Sequence, residues 1–255
     1  MKAKKSLGQN FLKSNLALKK IIEAGEITND DIVLEIGPGK GALTEKILEK
    51  AKTVVAVEKD NELFLLLKEK FVEQIKLGSL VLVHGDIIEF DFAKHGLVQN
   101  YKIVANIPYN ITGAILKKFL TEKKQPEMMI LMVQHEVAKR IVANDKKESI
   151  LSISVKAYGE PKMVMKVPAR YFSPAPKVDS AVIAIKNISR KIFKENKISE
   201  EKFWEIVKLG FAHKRKKLSG NLKSLNFNKK ENFISLKDKR PENLSILDWI
   251  KLTNI

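Results

Sequence analysis

The tetrapeptide Asn106-Ile107-Pro108-Tyr109 follows directly on an apolar run, Ile103-Val104-Ala105. A carboxamide, a stiff turn and an aromatic ring at a strand end can grip one planar amino-bearing group. The Asn106 side-chain oxygen and the carbonyl of Ile107 or Pro108 are acceptors suited to the two hydrogens of an amine. Proline stiffens the turn. The Tyr109 ring offers a face for stacking, worth ~1–3 kcal/mol for a base on an aromatic side chain. An exocyclic amine conjugated into a ring is a weak nucleophile. Acceptors that grip harder as positive charge develops on its nitrogen lower the barrier to methyl transfer. No general base is needed, because the product ammonium is acidic enough to give its proton to water. Taken alone, the same four residues also read as an Asn-Pro turn entering a helix.

A second feature lies far upstream. The turn Gly37-Pro38-Gly39-Lys40-Gly41 follows Leu34-Glu35-Ile36. Glycine there lets a ligand approach the backbone where side chains would block it. The spacing also satisfies a dinucleotide fingerprint with Ala42 as its last small residue, so the turn by itself does not separate NAD from S-adenosylmethionine. Glu58 stands roughly 20 residues on, where an acid can accept ribose hydroxyls. Asp86, in His84-Gly85-Asp86-Ile87-Ile88, can receive the amino group of a cofactor's adenine. Singly, each acid reads first as a solvated loop carboxylate or helix cap. Three such signals at three successive strand ends point to a nucleoside cofactor. Glu35 faces either a cofactor's ammonium or the backbone N–H groups of its own loop.

The elements that must position these residues alternate. Strands are expected at Ile32–Ile36, Thr53–Val57, Leu80–Val83, Lys102–Ala105, Met128–Val133, Ile150–Ala157 and Ala181–Ile185. Helices are expected over Asn15–Ala24, Ala42–Lys50, Asn61–Gln74, Thr112–Leu120 and Glu136–Ala143. The stripe Leu63, Leu66, Leu67 and Phe71 marks one of them. This rhythm predicts a mostly parallel, doubly wound sheet that binds its ligands beyond the carboxyl ends of the strands. Residues 186–240 carry 17 Lys and Arg against 6 Asp and Glu, a local net of +11. Helical patterns at Glu200–Phe211, Leu218–Leu225 and Ser245–Leu252 make this a small basic helical domain. The domain boundary is placed between residues 185 and 186.

The chain of 255 residues has a net charge of +17, which calls for an anionic partner. It has no cysteine, and its four histidines are scattered, so thiolate and histidine metal sites are excluded. No apolar run approaches the ~20 residues that span a bilayer, and no signal-like stretch follows the basic start. A cytoplasmic monomer without membrane attachment is the simple reading. Lys214–Lys217, the N-terminal lysines and Lys139-Arg140 would meet phosphates rather than read bases.

The chain closely resembles the ribosomal small-subunit RNA adenine dimethyltransferases. The resemblance runs through Lys5-Ser6-Leu7-Gly8-Gln9-Asn10-Phe11-Leu12, Leu34-Glu35-Ile36-Gly37-Pro38-Gly39 and Asn106-Ile107-Pro108-Tyr109-Asn110-Ile111. It continues in Phe172-Ser173-Pro174-Ala175-Pro176-Lys177-Val178-Asp179-Ser180, Phe211-Ala212-His213-Lys214-Arg215-Lys216-Lys217-Leu218 and Arg240-Pro241-Glu242-Asn243-Leu244-Ser245. It implies a Rossmann-like S-adenosylmethionine-dependent methyltransferase domain over 1–185 and a helical RNA-binding domain over 186–255. By the same resemblance, Asn10, Leu12, Gly37, Gly39, Glu58, Asp86 and Asn106 contact S-adenosylmethionine, and no metal takes part. Asn106, Pro108 and Tyr109 hold the target base. Phe172 closes on its other face; from the residues alone, core packing is the equal alternative for this aromatic. The implied reaction dimethylates two adjacent adenines near the 3′ end of the small-subunit rRNA, late in assembly of the 30S subunit. Where many members carry Arg-Arg-Lys-Thr-Leu-Arg, this chain has Lys214-Arg215-Lys216-Lys217-Leu218-Ser219, which keeps charge but offers fewer bidentate forks.

Competing readings remain at this point. A large-subunit rRNA adenine methyltransferase would share the fold and an Asn-x-Pro-Tyr-like motif. A protein glutamine methyltransferase would show Asn-Pro-Pro-Tyr, and a DNA adenine methyltransferase a longer target-recognition region. A factor that kept the fold without catalysis would not need Glu58, Asp86 and Asn106 together.

Overall fold

The computed structural model describes residues 3–4, 7–91, 93–95, 100–143, 145, 147–213, 215–225 and 231–254. The chain opens with a two-residue strand β1 (Phe11–Leu12) and helix α1 (Asn15–Ala24). There follow β2 (Ile32–Ile36), α2 (Ala42–Leu48), β3 (Thr53–Glu58), α3 (Asn61–Lys70), α4 (Val72–Lys76) and β4 (Leu80–His84). Next come β5 (Tyr101–Asn106), α5 (Thr112–Thr121), β6 (Met128–Gln134), α6 (His135–Val142) and α7 (Ile150–Lys156). Strands β7 (Glu160–Val167), β8 (Phe172–Ser173) and β9 (Ser180–Lys186) precede helices α8 (Lys191–Glu195), α9 (Glu200–Gly210), α10 (Leu218–Asn221), α11 (Glu231–Ile234) and α12 (Ile246–Thr253).

Seven strands form one sheet in the order β4-β3-β2-β5-β6-β9-β7. The first five run parallel, and β9 pairs antiparallel with both β6 and β7. From β2 the chain winds outward to β3 and β4, then returns to lay β5 and β6 on the other side. The crevice between β2 and β5 is therefore a topological switch point, where open α/β sheets bind ligands. Their register pairs Ile36 with Ala105, which brings Gly37 and Asn106 to the same level, one residue beyond. A separate two-stranded pairing sets Phe11 opposite Ser173 and Leu12 opposite Phe172.

The central strands are apolar on both faces because helices cover both. Val104, Ile130, Met132, Val182 and Ala184 pack with Ala17, Leu18 and Ile21 of α1 and Leu43 and Ile47 of α2. Helix α1 starts where the Ser14 hydroxyl accepts the Ala17 N–H, and α3 where the Asp60 carboxylate accepts that of Glu62. The single helix expected over Asn61–Gln74 breaks at Phe71, where the backbone leaves helical geometry. The Phe71 ring is drawn under Gly41, whose φ is +80° and whose missing Cβ would lie 2.6 Å from that ring.

The chain divides into two compact units, Met1–Ala138 with Glu160–Ile188, and Lys139–Gly159 with Ser189–Ile255. The second unit thus draws in residues 139–159, upstream of the basic tail. One expected element is corrected there: Ile150–Ala157 is not a strand but the helix α7. Its β-branched alternation is overridden by a capping box, in which Ser149 Oγ accepts the Ser152 N–H and Ser152 Oγ accepts that of Ser149. Within the seven-stranded sheet, the strand absent from the sequence reading is β7. It sits at the sheet edge, contains Pro161 and is bulged between Met163 and Met165, so it lacks a clean alternation. The second unit packs around Trp249, Phe203, Phe233, Leu218 and Leu252, with a Cβ at Gly210 only 2.4 Å from the Trp249 ring.

Gly41→Ala should therefore destabilise far more than Gly78→Ala. Both glycines have positive φ, but nothing lies within 4 Å of a Cβ at Gly78. Urea unfolding should show a loss of about 3 kcal/mol for the first and about 1 kcal/mol for the second. Equal losses would contradict the Phe71 contact as the reason for glycine.

Candidate active site

A cavity of about 540 Å³ lies in the first unit at the carboxyl ends of β2, β3, β4 and β5. That volume suits a nucleoside-sized ligand. Asn10, Leu12, Gly37, Gly39, Glu58, Asp86, Asn106, Pro108 and Tyr109 all line it. The structure thus gathers nine of the ten expected site residues around one space.

The β2–α2 turn is built by three glycines with positive φ, Gly37, Gly39 and Gly41. A Cβ on Gly37 would meet nothing within 4 Å, so the backbone there stays open to a ligand. Glu58 ends β3 and is buried. Its Oε2 accepts the Gly39 N–H at 3.0 Å and its Oε1 the Asp60 N–H at 2.8 Å. The carboxylate therefore braces the glycine turn and still has lone pairs for a ligand's hydroxyls. Burial pushes its pKa up, and those two backbone N–H groups oppose the rise. Asp86 is held ionised chiefly by the Lys59 ammonium at 2.8 Å, with the Ile88 N–H on its other oxygen.

Glu35 answers the question left open by the sequence. It is 1% exposed and lines the cavity, and its Oε2 has no hydrogen-bond partner. No backbone N–H of its own loop serves it among the described residues. Burial lifts its carboxyl from 4.5 to about 8; the nearby Thr44 hydroxyl pulls the other way and the Glu58 charge adds to the rise. An orphaned buried carboxyl facing a cavity fits a ligand that brings a cation.

At the end of β5, Asn106 Nδ2 donates to the Asn10 carbonyl at 3.2 Å. Its Oδ1 has no partner among the described residues. The Pro108 carbonyl is taken by the Ile111 N–H at 3.2 Å. The Ile107 carbonyl accepts no hydrogen bond from the described residues, so it is the less occupied of the two acceptors. Tyr109 is partly exposed beside them. Its hydroxyl meets Ser180 Oγ at 2.6 Å, and burial raises its pKa.

Phe172 does not line the cavity, which matches the core-packing alternative left open by the sequence. Its residue is 2% exposed in the core, and Ser173 lines the cavity instead. Strand alternation in β8 is the reason: with Phe172 paired to Leu12 and turned inward, the next residue faces out. The aromatic at the cavity from this region is Phe11, with Lys40 Nζ 4.9 Å from its ring centroid.

The sequence reading missed Asp60. Its side chain is 1% exposed and accepts from Lys4 Nζ at 2.8 Å and Gln9 Nε2 at 2.7 Å. Lys4 also meets Glu62 at 2.9 Å, and Gln9 Oε1 accepts the Lys4 N–H. Asp60 thereby ties the segment carrying Asn10 to the strand end carrying Glu58. Lys4 serves this internal tie rather than a phosphate. An acid two residues after Glu58 that also caps a helix was the available signal. Of the other expected phosphate contacts, Lys139, Arg140, Arg215, Lys216 and Lys217 are exposed, with Lys217 paired to Asp238. Lys2, Lys5 and Lys214 lie outside the described residues.

A parallel sheet with this glycine turn, followed by acids at the next strand ends, defines a Rossmann-like methyltransferase fold. A dimethyladenosine transferase from Plasmodium falciparum has the same fold at TM-score 0.80 and 28% identity, over 95% of each chain. The 23S rRNA methyltransferase ErmE matches at TM-score 0.78 and 24% identity, over 96% of this chain and 98% of that one. The family model "Ribosomal RNA adenine dimethylase" matches residues 1–255. The ribosomal RNA small subunit methyltransferase A of Fusobacterium nucleatum is 40% identical, over 100% of this chain and 97% of its own. Its counterpart in Clostridium botulinum (strain Kyoto) is 39% identical, over 99% and 94%. The chain belongs to the ribosomal RNA adenine dimethylase family.

The raised Glu35 carboxyl has a consequence for the ligand-free protein. Folding favours its protonated form, so its contribution to stability is intact below pH 4.5 and is lost as pH rises from there to about 8. Glu35→Gln removes this loss. Its melting temperature should exceed the wild-type value by roughly 5 °C at pH 8.5 and by little at pH 5. A difference independent of pH would show that Glu35 is not buried as described.

Proposed function

We propose that this chain uses S-adenosylmethionine to dimethylate the exocyclic amines of two adjacent adenines near the 3′ end of small-subunit rRNA. It acts in the cytoplasm, as a monomer, on the assembling 30S subunit. The observation that carries the proposal is the orientation of Asn106. Its amide nitrogen is spent on the Asn10 carbonyl, leaving Oδ1 without a described partner at a nucleoside-sized cavity that Ile107 also lines.

Three features support the cofactor. Glu58 can accept ribose hydroxyls, Asp86 can accept an adenine amine, and the orphaned Glu35 oxygen suits the cofactor's ammonium. Gly37 leaves room for the chain that joins these groups, Gly39 makes way for the Phe11 ring, and Asn10 and Leu12 line the same cavity. S-adenosylmethionine supplies an electrophilic methyl on a positively charged sulfur. The residues of this chain do the rest. The target adenine leaves its stack to reach a pocket at the strand ends and lies against Tyr109. Asn106 Oδ1 and Ile107 O accept its N–H groups and hold the nitrogen lone pair out of ring conjugation. Both acceptors strengthen their hold as the nitrogen becomes positive. The nitrogen forms its bond to the methyl carbon, the bond to sulfur breaks, and the surplus proton leaves to water. Much of the remaining acceleration is positional.

The +17 charge and the exposed Lys139, Arg140, Arg215 and Lys216 supply phosphate contacts, chiefly from the basic helical part of the chain. Specificity then comes from the shape of the folded RNA and the subunit surface rather than from groove readout.

Small and large subunits from cells lacking these methylations, incubated with methyl-labelled S-adenosylmethionine, test the proposal. Label should enter small-subunit RNA as N6,N6-dimethyladenine, to four methyl groups per subunit. Asn106→Ala should lower transfer at least a hundredfold while subunit binding changes less than threefold. Label only in large-subunit RNA would reject the substrate. Equal collapse of binding and transfer would make Asn106 a structural residue.

A further inference from the structure

The segment Phe172–Ser180 is among the most specific stretches of the sequence, yet the proposed chemistry uses none of its side chains. Its position explains what it does. At one end, β8 pairs with β1 and so holds Leu12 at the cavity. At the other end, Ser180 begins β9 opposite Gln134 of β6 and is fully buried. A serine hydroxyl enclosed at a strand start costs free energy unless it is hydrogen-bonded. Its described partner is the Tyr109 hydroxyl at 2.6 Å, across 71 residues of sequence.

Tyr109 sits on a short 3₁₀ turn, Tyr109–Ile111, and its ring would swing about the Cα–Cβ bond if held only there. Two anchors prevent this. Thr112 Oγ1 donates to the Tyr109 carbonyl at 3.1 Å and fixes the backbone. Ser180 fixes the far end of the ring. Ser180 is itself placed by its neighbour: Asp179 Oδ1 accepts the Ala169 N–H at 3.0 Å, its Oδ2 meets Lys166 at 2.8 Å, and its carbonyl accepts the His135 N–H at 2.9 Å. A chain of directed bonds therefore runs from β6, β7 and β9 to the aromatic plane beside Asn106.

We propose that Ser180 is a positioning residue for base capture: its hydroxyl locks the Tyr109 ring in the plane on which the target adenine stacks, and Asp179 holds Ser180 in place. This rests on the proposed adenine methylation and assigns a task to a residue that touches neither cofactor nor base. Tyr109 must then act through its hydroxyl as well as its face, because only the hydroxyl reaches Ser180.

Ser180→Ala and Tyr109→Phe break the same bond from opposite ends, and each keeps the surrounding packing. Methyl transfer to unmethylated small subunits is measured for wild type, both single variants and the double variant. Binding of S-adenosylhomocysteine and thermal melting are followed in parallel. Each single variant should lose about three- to tenfold in kcat/KM for the subunit, with S-adenosylhomocysteine affinity within twofold of wild type. The double variant should lose no more than either single one. A 2-aminopurine at the target position of a short RNA should show less unstacking fluorescence with either variant. Wild-type kcat/KM in Ser180→Ala would overturn the inference, as would additive losses in the double variant. If the wild-type protein transfers no methyl to small-subunit RNA, the proposed function fails first and takes this assignment with it.

Discussion

One hydrogen bond decides which way the Asn106 amide faces. Asn106 Nδ2 donates to the backbone carbonyl of Asn10, 96 residues away in sequence. A carboxamide is nearly symmetric in shape but opposite in polarity at its two ends. Turned over, it would present donors to an amine that also donates, and no productive contact would form. The Asn10 carbonyl removes that choice. Much of the first unit serves to deliver this carbonyl: the β1–β8 pairing, the Asn10 Nδ2 bond to the Gly8 carbonyl, and the tie of Lys4 and Gln9 to Asp60.

Around that amide the fold accepts an electrostatic cost. Glu35 and Glu58 are both buried; the Glu58 charge adds to the proton affinity of Glu35, and the Asp60 charge to that of Glu58. Glu58 and Asp60 are satisfied by backbone N–H groups and by Lys4 and Gln9. Glu35 is not, and its free oxygen is the least comfortable polar atom at the cavity. Such an arrangement favours a ligand with hydroxyls and a positive charge, because that ligand removes the cost.

Much of this was legible in the sequence, for physical reasons. Ile32–Ile36 and Asn15–Ala24 have unambiguous period and clear caps, and the structure has them with those bounds. The Gly-Pro-Gly-Lys-Gly turn and the acids after β3 and β4 could be read because their chemistry is tied to strand ends. Four things could not be read locally. Ile150–Ala157 alternates like a strand, and only the Ser149–Ser152 capping box makes it helical. Phe172 is an aromatic whose facing depends on its pairing with Leu12, a contact 160 residues away. The division of labour between Ile107 and Pro108 depends on where the Ile111 N–H points, and Asp60 acquires its partners only when the N-terminal segment folds back.

The most direct measurement is a crystal structure of the protein with S-adenosylhomocysteine and adenosine bound. The account predicts the adenosine ring against Tyr109, with its amino nitrogen within hydrogen-bond reach of both Asn106 Oδ1 and the Ile107 carbonyl, while Asn106 Nδ2 keeps its bond to Asn10. An amino nitrogen lying away from both oxygens, or an Asn106 side chain turned from the cavity with the nucleosides in place, would contradict it.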